Sequence, residues 1–320
     1  MRKLLKWIGL ASIAALLLTA CGNEKPASEA GGKPASKKDE PLKIVTSFTI
    51  IQDLAKEIGG EDVEVHNLVP TGTDPHEYEP LPEDIKKATD ADVLFYNGLN
   101  LEGGKDGWFY KMVDSVGQKE ENVFNLTESI EPMYISSKDG KEEEMNPHAF
   151  IDPNVGIQMA EAMRDALIEV DSDNKEKYEK RGNEYIEKLK EIEQKYSEEI
   201  EKIPEEDRIL VTSERAFQYM AKRYGLKEAY IWAIDTEENG SPSQIKSLVQ
   251  FIKEHNVPVL FLESNVDPRP METVSKESGI PIYEKPIYSD EIGKPGDEVD
   301  TYIKYLEYNI NIIADGLSRS

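Results

Sequence analysis

The apolar residues from residue 42 onward follow two different periods. Short apolar runs have the length and composition of buried strands, and the segments between them repeat apolar positions every three or four residues, as helices do. The strands predicted in the first half of the chain are Leu42–Val45, Val63–Val69 and Asp92–Tyr96, and the helices are Ile51–Ile58, Pro82–Thr89 and Asp152–Val170. Strands that alternate with helices in this way indicate parallel sheets covered by helices.

A long charged segment, residues 173–203, interrupts this alternation. It contains one glycine, Gly182, and no interior proline, and its apolar residues form one stripe at helical spacing. About 30 residues at 1.5 Å each would span roughly 45 Å. The stripe could pair with a partner in a coiled coil. However, a short and solitary run favours a helix that joins two lobes and packs along both.

The strand and helix pattern restarts after Pro204. The predicted strands are Arg208–Thr212, Ala229–Ile234, Pro258–Leu262 and Pro281–Tyr283, and the predicted helices are Arg215–Tyr224, Pro242–His255, Pro270–Ser278 and Val299–Leu317. We therefore predict an α/β fold with two β/α lobes, residues 42–172 and 204–320, that are joined by the long helix of residues 173–203. A single helix is a stiff hinge, so we expect lobe closure to be small.

The first 41 residues have a different character. Basic residues precede an apolar run that ends at Leu18 and is too short for a permanent membrane span. Small residues then lead to Cys21, as in a secretory signal. Leu18-Thr19-Ala20-Cys21 resembles the bacterial lipobox, in which the cysteine is acylated, although an ordinary signal with an accidental cysteine is the alternative. We predict a signal peptide at 1–20, and a lipidated Cys21 with a flexible tether at 21–41, which holds the protein on the outer face of the cell membrane.

The charge and the cysteine content limit the possible partners and the source of stability. The chain has 63 acidic residues against 38 basic ones, which argues against nucleic acid as a partner because phosphate binding needs clustered lysine and arginine. Cys21 is the only cysteine, so the exported part has no disulfide and must depend on its core. We expect a monomer.

Two of the four histidines, His76 and His148, follow a proline in a loop. Proline restricts its own φ and the residue before it, so such a loop is stiff and presents an imidazole to a metal at low entropic cost. Two unrelated loop histidines are the alternative. His66 lies within a predicted strand, and His255 closes a helix where a cation suits the dipole. Neither is predicted to bind metal.

Two carboxylates in the second half are candidate partners for these imidazoles. Glu214 follows a predicted strand, at the type of strand end where open α/β sheets bind ligands. Asp290 lies in a long loop before the last helix. Either residue alone would mean little in so acidic a chain, and their sequence context is what singles them out.

That context resembles a known family, the metal-binding receptors of bacterial metal-uptake ABC transporters, which are the cluster A-I solute-binding proteins. The resemblance covers the whole mature chain. It rests on Thr73-Asp74-Pro75-His76, Asn146-Pro147-His148, Thr212-Ser213-Glu214, Trp232-Ala233-Ile234-Asp235-Thr236-Glu237, Ser241-Pro242 and Tyr288-Ser289-Asp290, together with the lipobox and the long helix.

The resemblance implies a receptor that captures a divalent metal ion and delivers it to the permease subunits of an ABC transporter. In manganese-type members, the residues matching His76, His148, Glu214 and Asp290 coordinate the metal between the lobes. Zinc-type relatives commonly have a third histidine at the position of Glu214 and a His-rich acidic loop. This chain has neither, since its charged run at residues 141–144 lacks histidine. Mn²⁺ is therefore the expected ion, and Zn²⁺ is the alternative.

Two departures from the family pattern concern Arg215 and Ala233. Arg215 stands where many relatives have a small residue, and it could pair with Glu214 or point away from it along the new helix. Ala233 replaces a common acid.

Two other classes of protein are possible alternatives. A metalloenzyme would need an open coordination position and a general base, and the chain has no H-E-x-x-H motif. A surface adhesin is compatible with an acidic lipoprotein, and such a role could coexist with metal capture.

Overall fold

The computed structural model describes residues 40–136, 143–234 and 240–319. The predicted signal peptide, Cys21 and the tether up to residue 39 lie outside these ranges, as do Lys141 and Glu142 of the charged run and the Asp235-Thr236-Glu237 part of one family motif. Among the helices of the described ranges, none has the length and apolar character needed to cross a bilayer.

The first lobe is built on a four-stranded parallel sheet with strand order β2-β1-β3-β4. Both faces of the sheet are covered by helices, as parallel sheets require. The strands are β1 Leu42–Phe48, β2 Val63–Val69, β3 Val93–Tyr96 and β4 Val123–Asn125, and the helices are α1 Thr49–Gly59, α2 Pro82–Asp90, α3 Trp108–Val116 and α4 Pro153–Val170. The sequence pattern missed β4, α3 and the short antiparallel hairpin of β5 Tyr134–Ser136 and β6 Glu143–Met145.

The long helix, α5 Lys175–Glu201, packs against α1 and α4 of the first lobe. It also contacts the last helix, α9 Tyr302–Leu317, where the Tyr196 hydroxyl donates to the Leu306 carbonyl at 2.9 Å. The stripe predicted from the spacing is buried within this chain, so the packing along both lobes is confirmed and no coiled-coil partner is needed. Its buried members include Tyr178, Tyr185, Ile186, Leu189, Ile192, Tyr196 and Ile200.

The second lobe has a regular core of two parallel strands, β7 Ile209–Glu214 and β8 Lys227–Trp232. Its helices are α6 Gln218–Tyr224, α7 Pro242–Glu254, α8 Arg269–Ser278 and α9. Two predicted strands, at 258–262 and 281–283, are reduced to isolated parallel bridges, one of which joins Leu260 to Ile282. The physical reason is that Pro258, Pro281 and Pro286 have no N–H to contribute to a ladder.

Two helices in this lobe begin later than the sequence pattern predicts. The predicted start at Arg215 is wrong because the Arg215 N–H donates to the Trp232 carbonyl at 3.1 Å, which extends the strand pairing past β7. α9 begins at Tyr302, after Thr301 caps it by accepting from the Lys304 N–H.

A buried carboxylate fixes the start of α9 against the first lobe. Asp53 on α1 accepts hydrogen bonds from the Tyr302 N–H at 2.9 Å and from the Tyr185 hydroxyl at 3.2 Å. Burial raises the pKa of Asp53 from its ordinary 3.8 to about 6, although these two donors act in the opposite direction. Ionised Asp53 therefore destabilises the fold, and this effect grows as pH rises from about 4 through 6.

We predict that Asp53→Asn gains stability relative to the wild type as pH rises. An amide oxygen can still accept both hydrogen bonds but cannot ionise, so the relative gain between pH 4 and pH 7.5 is about 2.5 kcal/mol. Urea unfolding of both proteins across this range measures the gain. Asp114→Asn, on the exposed face of α3, is the matched control. A stability difference that does not change with pH would contradict the prediction.

Candidate metal centre

The fold brings the four predicted side chains to one point between the lobes. His76 comes from a loop of the first lobe, and His148, which was also predicted in a loop, begins the short 3-10 helix His148–Ile151. Glu214 is the last residue of β7, and Asp290 lies in the segment before α9. One nitrogen or oxygen atom from each of the four lies within 4.8 Å of the others. The outermost two, His76 and Asp290, are 214 positions apart in the sequence, and the fold brings them together as the family resemblance implies.

The distances between these atoms are those of neighbouring ligands around one ion. His148 Nε2 lies 3.2 Å from His76 Nε2, 3.1 Å from Asp290 Oδ1 and 3.8 Å from Glu214 Oε1. Ligands about 2.1 Å from a shared ion are separated by about 3.0–3.5 Å at right-angled or tetrahedral geometry. The His148–Glu214 separation is slightly wider than this range, and the other two fall within it.

Burial of this cluster is unfavourable in free energy unless a cation compensates its charge. His148 and Glu214 are fully buried, Asp290 is 3% exposed, and His76 is at the mouth of the site. Two ionised carboxylates in a buried place need compensating charge. One divalent cation with two neutral imidazoles would neutralise them.

His148 is oriented by Asn146. The Asn146 Oδ1 atom accepts from the backbone N–H of His148 at 3.0 Å and lies 2.8 Å from its Nδ1. Because an amide oxygen only accepts, Nδ1 carries the proton and Nε2 is left to bind metal. The Asn146 amide in turn donates to the Arg215 carbonyl and the Gln218 Oε1 atom, both at 2.9 Å. Asn146 thus fastens a ligand of the first lobe to the second lobe.

Glu214 is held by a second buried carboxyl group, that of Glu263. The two oxygens of Glu263 accept from the N–H groups of Ser213 at 3.1 Å and Glu214 at 2.9 Å. Burial raises the pKa of Glu263 to about 7, against the effect of these donors. Near neutral pH this group therefore adds less negative charge to the site than an ionised carboxylate would.

Asp290 presents one oxygen to the site and has the other one occupied. Its Oδ2 accepts from Ser289 Oγ at 2.9 Å and from Asn265 Nδ2 at 3.2 Å. Its Oδ1 is buried, faces His148 Nε2, and has no well-aligned hydrogen-bond donor among the described residues. A buried acceptor in this state is suited to a metal ion.

The ionisation states also suit a cation. Although part of His76 is exposed, its ring is enclosed by protein, and burial together with His148 lowers its pKa below the ordinary value of 6.5. Burial alone would raise the pKa of Asp290, but the two imidazoles lower it below the usual range. At neutral pH, His76 is thus neutral and Asp290 is ionised, which are the forms that bind metal.

The remaining sequence-based candidates lie away from this centre. His66 Nε2 pairs with Asp84 Oδ1 at 2.7 Å, and the ring of His255 stacks on Phe251. The Arg215 guanidinium lies 3.4 Å from the Glu228 carboxylate, where it also covers the Tyr230 ring. Arg215 therefore points to β8 rather than along the helix.

The sequence reasoning did not assign roles to Asn146, Glu263 and Asn265. Asn146 lies two residues before His148 in the Asn-Pro-His motif. Glu263 directly follows a predicted strand, in the same type of position as Glu214, and that position was an available signal.

A two-lobed α/β fold with a buried site for one cation between the lobes defines a solute-binding receptor. A family model described as "Zinc-uptake complex component A periplasmic" matches residues 44–316. The chain belongs to this family of metal-binding receptors of ABC transporters, which act outside the cytoplasm and are not enzymes.

Three known proteins illustrate the similarity. The manganese ABC transporter substrate-binding lipoprotein PsaA of Streptococcus pneumoniae is 42% identical over 308 residues, which are 96% of each chain. The structure of the Mn-bound periplasmic metal binding protein from Candidatus Liberibacter asiaticus matches with a TM-score of 0.75 and 28% identity, over 87% of this chain and 100% of that one. The periplasmic zinc binding protein TroA from Treponema pallidum matches with a TM-score of 0.78 and 25% identity, over 87% and 99%.

We predict that Asn146→Ala weakens metal binding while leaving all four ligands in place. Loss of the carboxamide frees the His148 ring to rotate and to change tautomer, and losing such a supporting residue typically costs about 10–100-fold in metal affinity. Calorimetric titration of metal into the wild type and the variant measures the loss. Asn256→Ala, which removes a hydrogen bond to Asp207 elsewhere in the lobe, is the control. Unchanged affinity in Asn146→Ala would contradict this role.

Proposed function

We propose that this receptor captures Mn²⁺ with His76, His148, Glu214 and Asp290 and delivers it to the permease of its ABC transporter. The observation that carries the proposal is the convergence of these four donors at one buried point between the lobes. Each lobe supplies two of the four, so a bound ion would hold the lobes together. Release to the permease would then require the lobes to separate.

The donor set favours manganese. Two imidazole nitrogens and two carboxylates form a mixed, oxygen-containing site, whereas structural zinc sites use cysteine and histidine in a closed tetrahedron. Each carboxylate can bind through one or both oxygens, so the four side chains could supply up to six donor atoms. PsaA and the Mn-bound Liberibacter protein support the same choice by their similarity to this chain.

Zinc is the second candidate, and a specific observation favours it. Four donor atoms within 4.8 Å also fit a four-coordinate ion, and most sites bind Zn²⁺ more tightly than Mn²⁺. We therefore expect Zn²⁺ to bind in vitro. An adhesin role explains none of the contacts that assemble the site.

We predict that each of His76→Ala, His148→Ala, Glu214→Ala and Asp290→Ala lowers metal affinity by more than about 100-fold. Losing a ligand removes a bond to the ion and should exceed the loss typical of a supporting residue. Native mass spectrometry gives the stoichiometry, and calorimetry with Mn²⁺ and Zn²⁺ gives the affinities. His66→Ala and His255→Ala are matched controls, since both rings lie in other contacts.

The results distinguish a manganese receptor from a zinc receptor and also test the assignment of the four ligands. If the four variants keep wild-type affinity, the site assignment is wrong. If the wild type ignores Mn²⁺ and the histidine variants lose Zn²⁺, the protein is a zinc receptor.

We further propose that a lipid on Cys21 anchors the receptor and that residues 22–41 tether it near the permease. The lipobox-like Leu18-Thr19-Ala20-Cys21 sequence and the lipoprotein description of PsaA support this proposal. We also propose that the two lobes comprise residues 42–172 and 204–320 and that residues 173–203 join them. We expect the receptor to be a monomer.

We predict that Cys21→Ala binds metal as the wild type does but supports metal uptake poorly by cells. The variant keeps the binding site and loses only the lipid, so it diffuses away from the permease. Calorimetry on the purified protein and ⁵⁴Mn uptake by cells measure the two properties separately. Full uptake by cells that carry only the variant would show that the lipid is dispensable.

A further inference from the structure

Most of the site is closed to solvent in this structure, and only His76 is partly exposed. His148, Glu214 and Asp290 are at most 3% exposed, so the segments around them must separate before metal enters or leaves. The contacts between these segments therefore influence how long an ion remains bound. We call the partly exposed side of the site, next to His76, its mouth. Two segments meet there: residues 70–78, which carry His76, and residues 288–292, which carry Asp290.

Hydrogen bonds join these two segments directly. The N–H of Gly72 donates to Glu291 Oε2 at 2.5 Å, and the Thr71 hydroxyl donates to the Ile292 carbonyl at 2.9 Å. The left-handed backbone of Gly72, with φ of 89°, is accessible to glycine at little cost and positions its N–H in this turn. Each of these bonds links the first lobe to the second.

Glu291 is also fixed from the side of the second lobe. Its other oxygen, Oε1, accepts from the Ser264 hydroxyl at 3.2 Å, and Ser264 itself is anchored by its N–H to the Ile287 carbonyl at 2.9 Å. The side chain is 7% exposed although Gly72 is exposed at the surface. The Glu291 carboxylate therefore accepts from Ser264 of the second lobe with one oxygen and from Gly72 of the first lobe with the other.

We propose that Glu291 and Thr71 form a clasp across the mouth of the site and that this clasp sets the lifetime of the bound ion. This inference rests on the metal site proposed above. Neither residue is among the four ligands, so both are positioning residues. The clasp holds the segment that carries His76 against the segment that carries Asp290, and the ion leaves only after these bonds break.

The clasp lies nearer to solvent than several of the other hydrogen bonds between the lobes. Asp53 with Tyr302, and Asn146 with Gln218, are buried beneath the site. Thr71 and Gly72 lie at the surface, where water can replace a broken hydrogen bond at low cost. A small lobe movement can therefore open the clasp while the buried bonds persist.

The test is the rate at which metal leaves the loaded protein. Mn²⁺-loaded receptor is mixed in a stopped-flow instrument with an excess of a fluorescent chelator that reports the free metal. Glu291→Ala, which removes two hydrogen bonds, should release metal about tenfold faster than the wild type, and Thr71→Val, which removes one, about fivefold faster. The number of ions bound should remain unchanged.

Matched variants distinguish the effect of losing the clasp from the effects of losing a negative charge or folding stability. Thr71→Ser keeps the hydroxyl and should release metal at the wild-type rate. Glu298→Ala removes a carboxylate of the same type from the exposed part of this loop and should also behave as the wild type. Any fall in the melting temperature of metal-free Glu291→Ala should be smaller than the change in release rate requires.

Two results would overturn the clasp alone, and a third would overturn the clasp together with the metal site. One is release from Glu291→Ala and Thr71→Val within twofold of the wild-type rate, while the wild type binds one ion and His148→Ala binds none. The metal site then stands and only the clasp is wrong. The other is faster release that is accompanied by an equal loss of stability in the metal-free protein, which would make the role purely structural. If His148→Ala keeps full affinity, both the site and the clasp fail.

Discussion

Two buried carboxylates, Glu214 and Asp290, face two imidazoles at the junction of the lobes, and this arrangement constrains the rest of the molecule. Carboxylates in such a place are stable only if a cation or a proton compensates them. Burial opposes the ionisation of Asp290, but its contacts with His148 and His76 hold its pKa below the ordinary range, so at neutral pH it carries a charge that a metal ion can balance. The binding energy for a divalent ion thus comes from a charge imbalance that the fold maintains.

The fold maintains it with rigid supports on both sides. Asn146 fixes the ring of His148, Glu263 fixes the end of β7 before Glu214, and Ser289 with Asn265 occupies one oxygen of Asp290. Beneath them, α5 packs along both lobes, and we expect it to limit how far they can separate. A receptor needs this combination, because an ion must be held tightly by prearranged donors and yet be released by a small movement.

Much of this could be predicted from the sequence, for identifiable reasons. The stripe of α5 has a strict helical period, and the loops of His76 and His148 have a proline before the ligand, so both signals are local. The family resemblance then singled out Glu214 and Asp290 among 63 acidic residues. The position of Glu214 after a strand is shared by Glu263 and is not sufficient alone, and Asp290 has no local signal. The strands at 258–262 and 281–283 were overpredicted because their apolar runs outweighed Pro258 and Pro281, which cannot donate to a ladder. Asn146, Glu263 and Glu291 act through contacts between distant segments, which no local pattern encodes.

The central claim is that one ion binds to all four side chains at once. Anomalous diffraction at the manganese absorption edge, from crystals grown with Mn²⁺, locates the ion without reference to any assumed ligand. We expect one strong peak within about 2.0–2.6 Å of His76 Nε2, His148 Nε2 and at least one carboxylate oxygen each of Glu214 and Asp290. A peak that contacts residues of one lobe alone, or one located elsewhere in the molecule, would contradict the account.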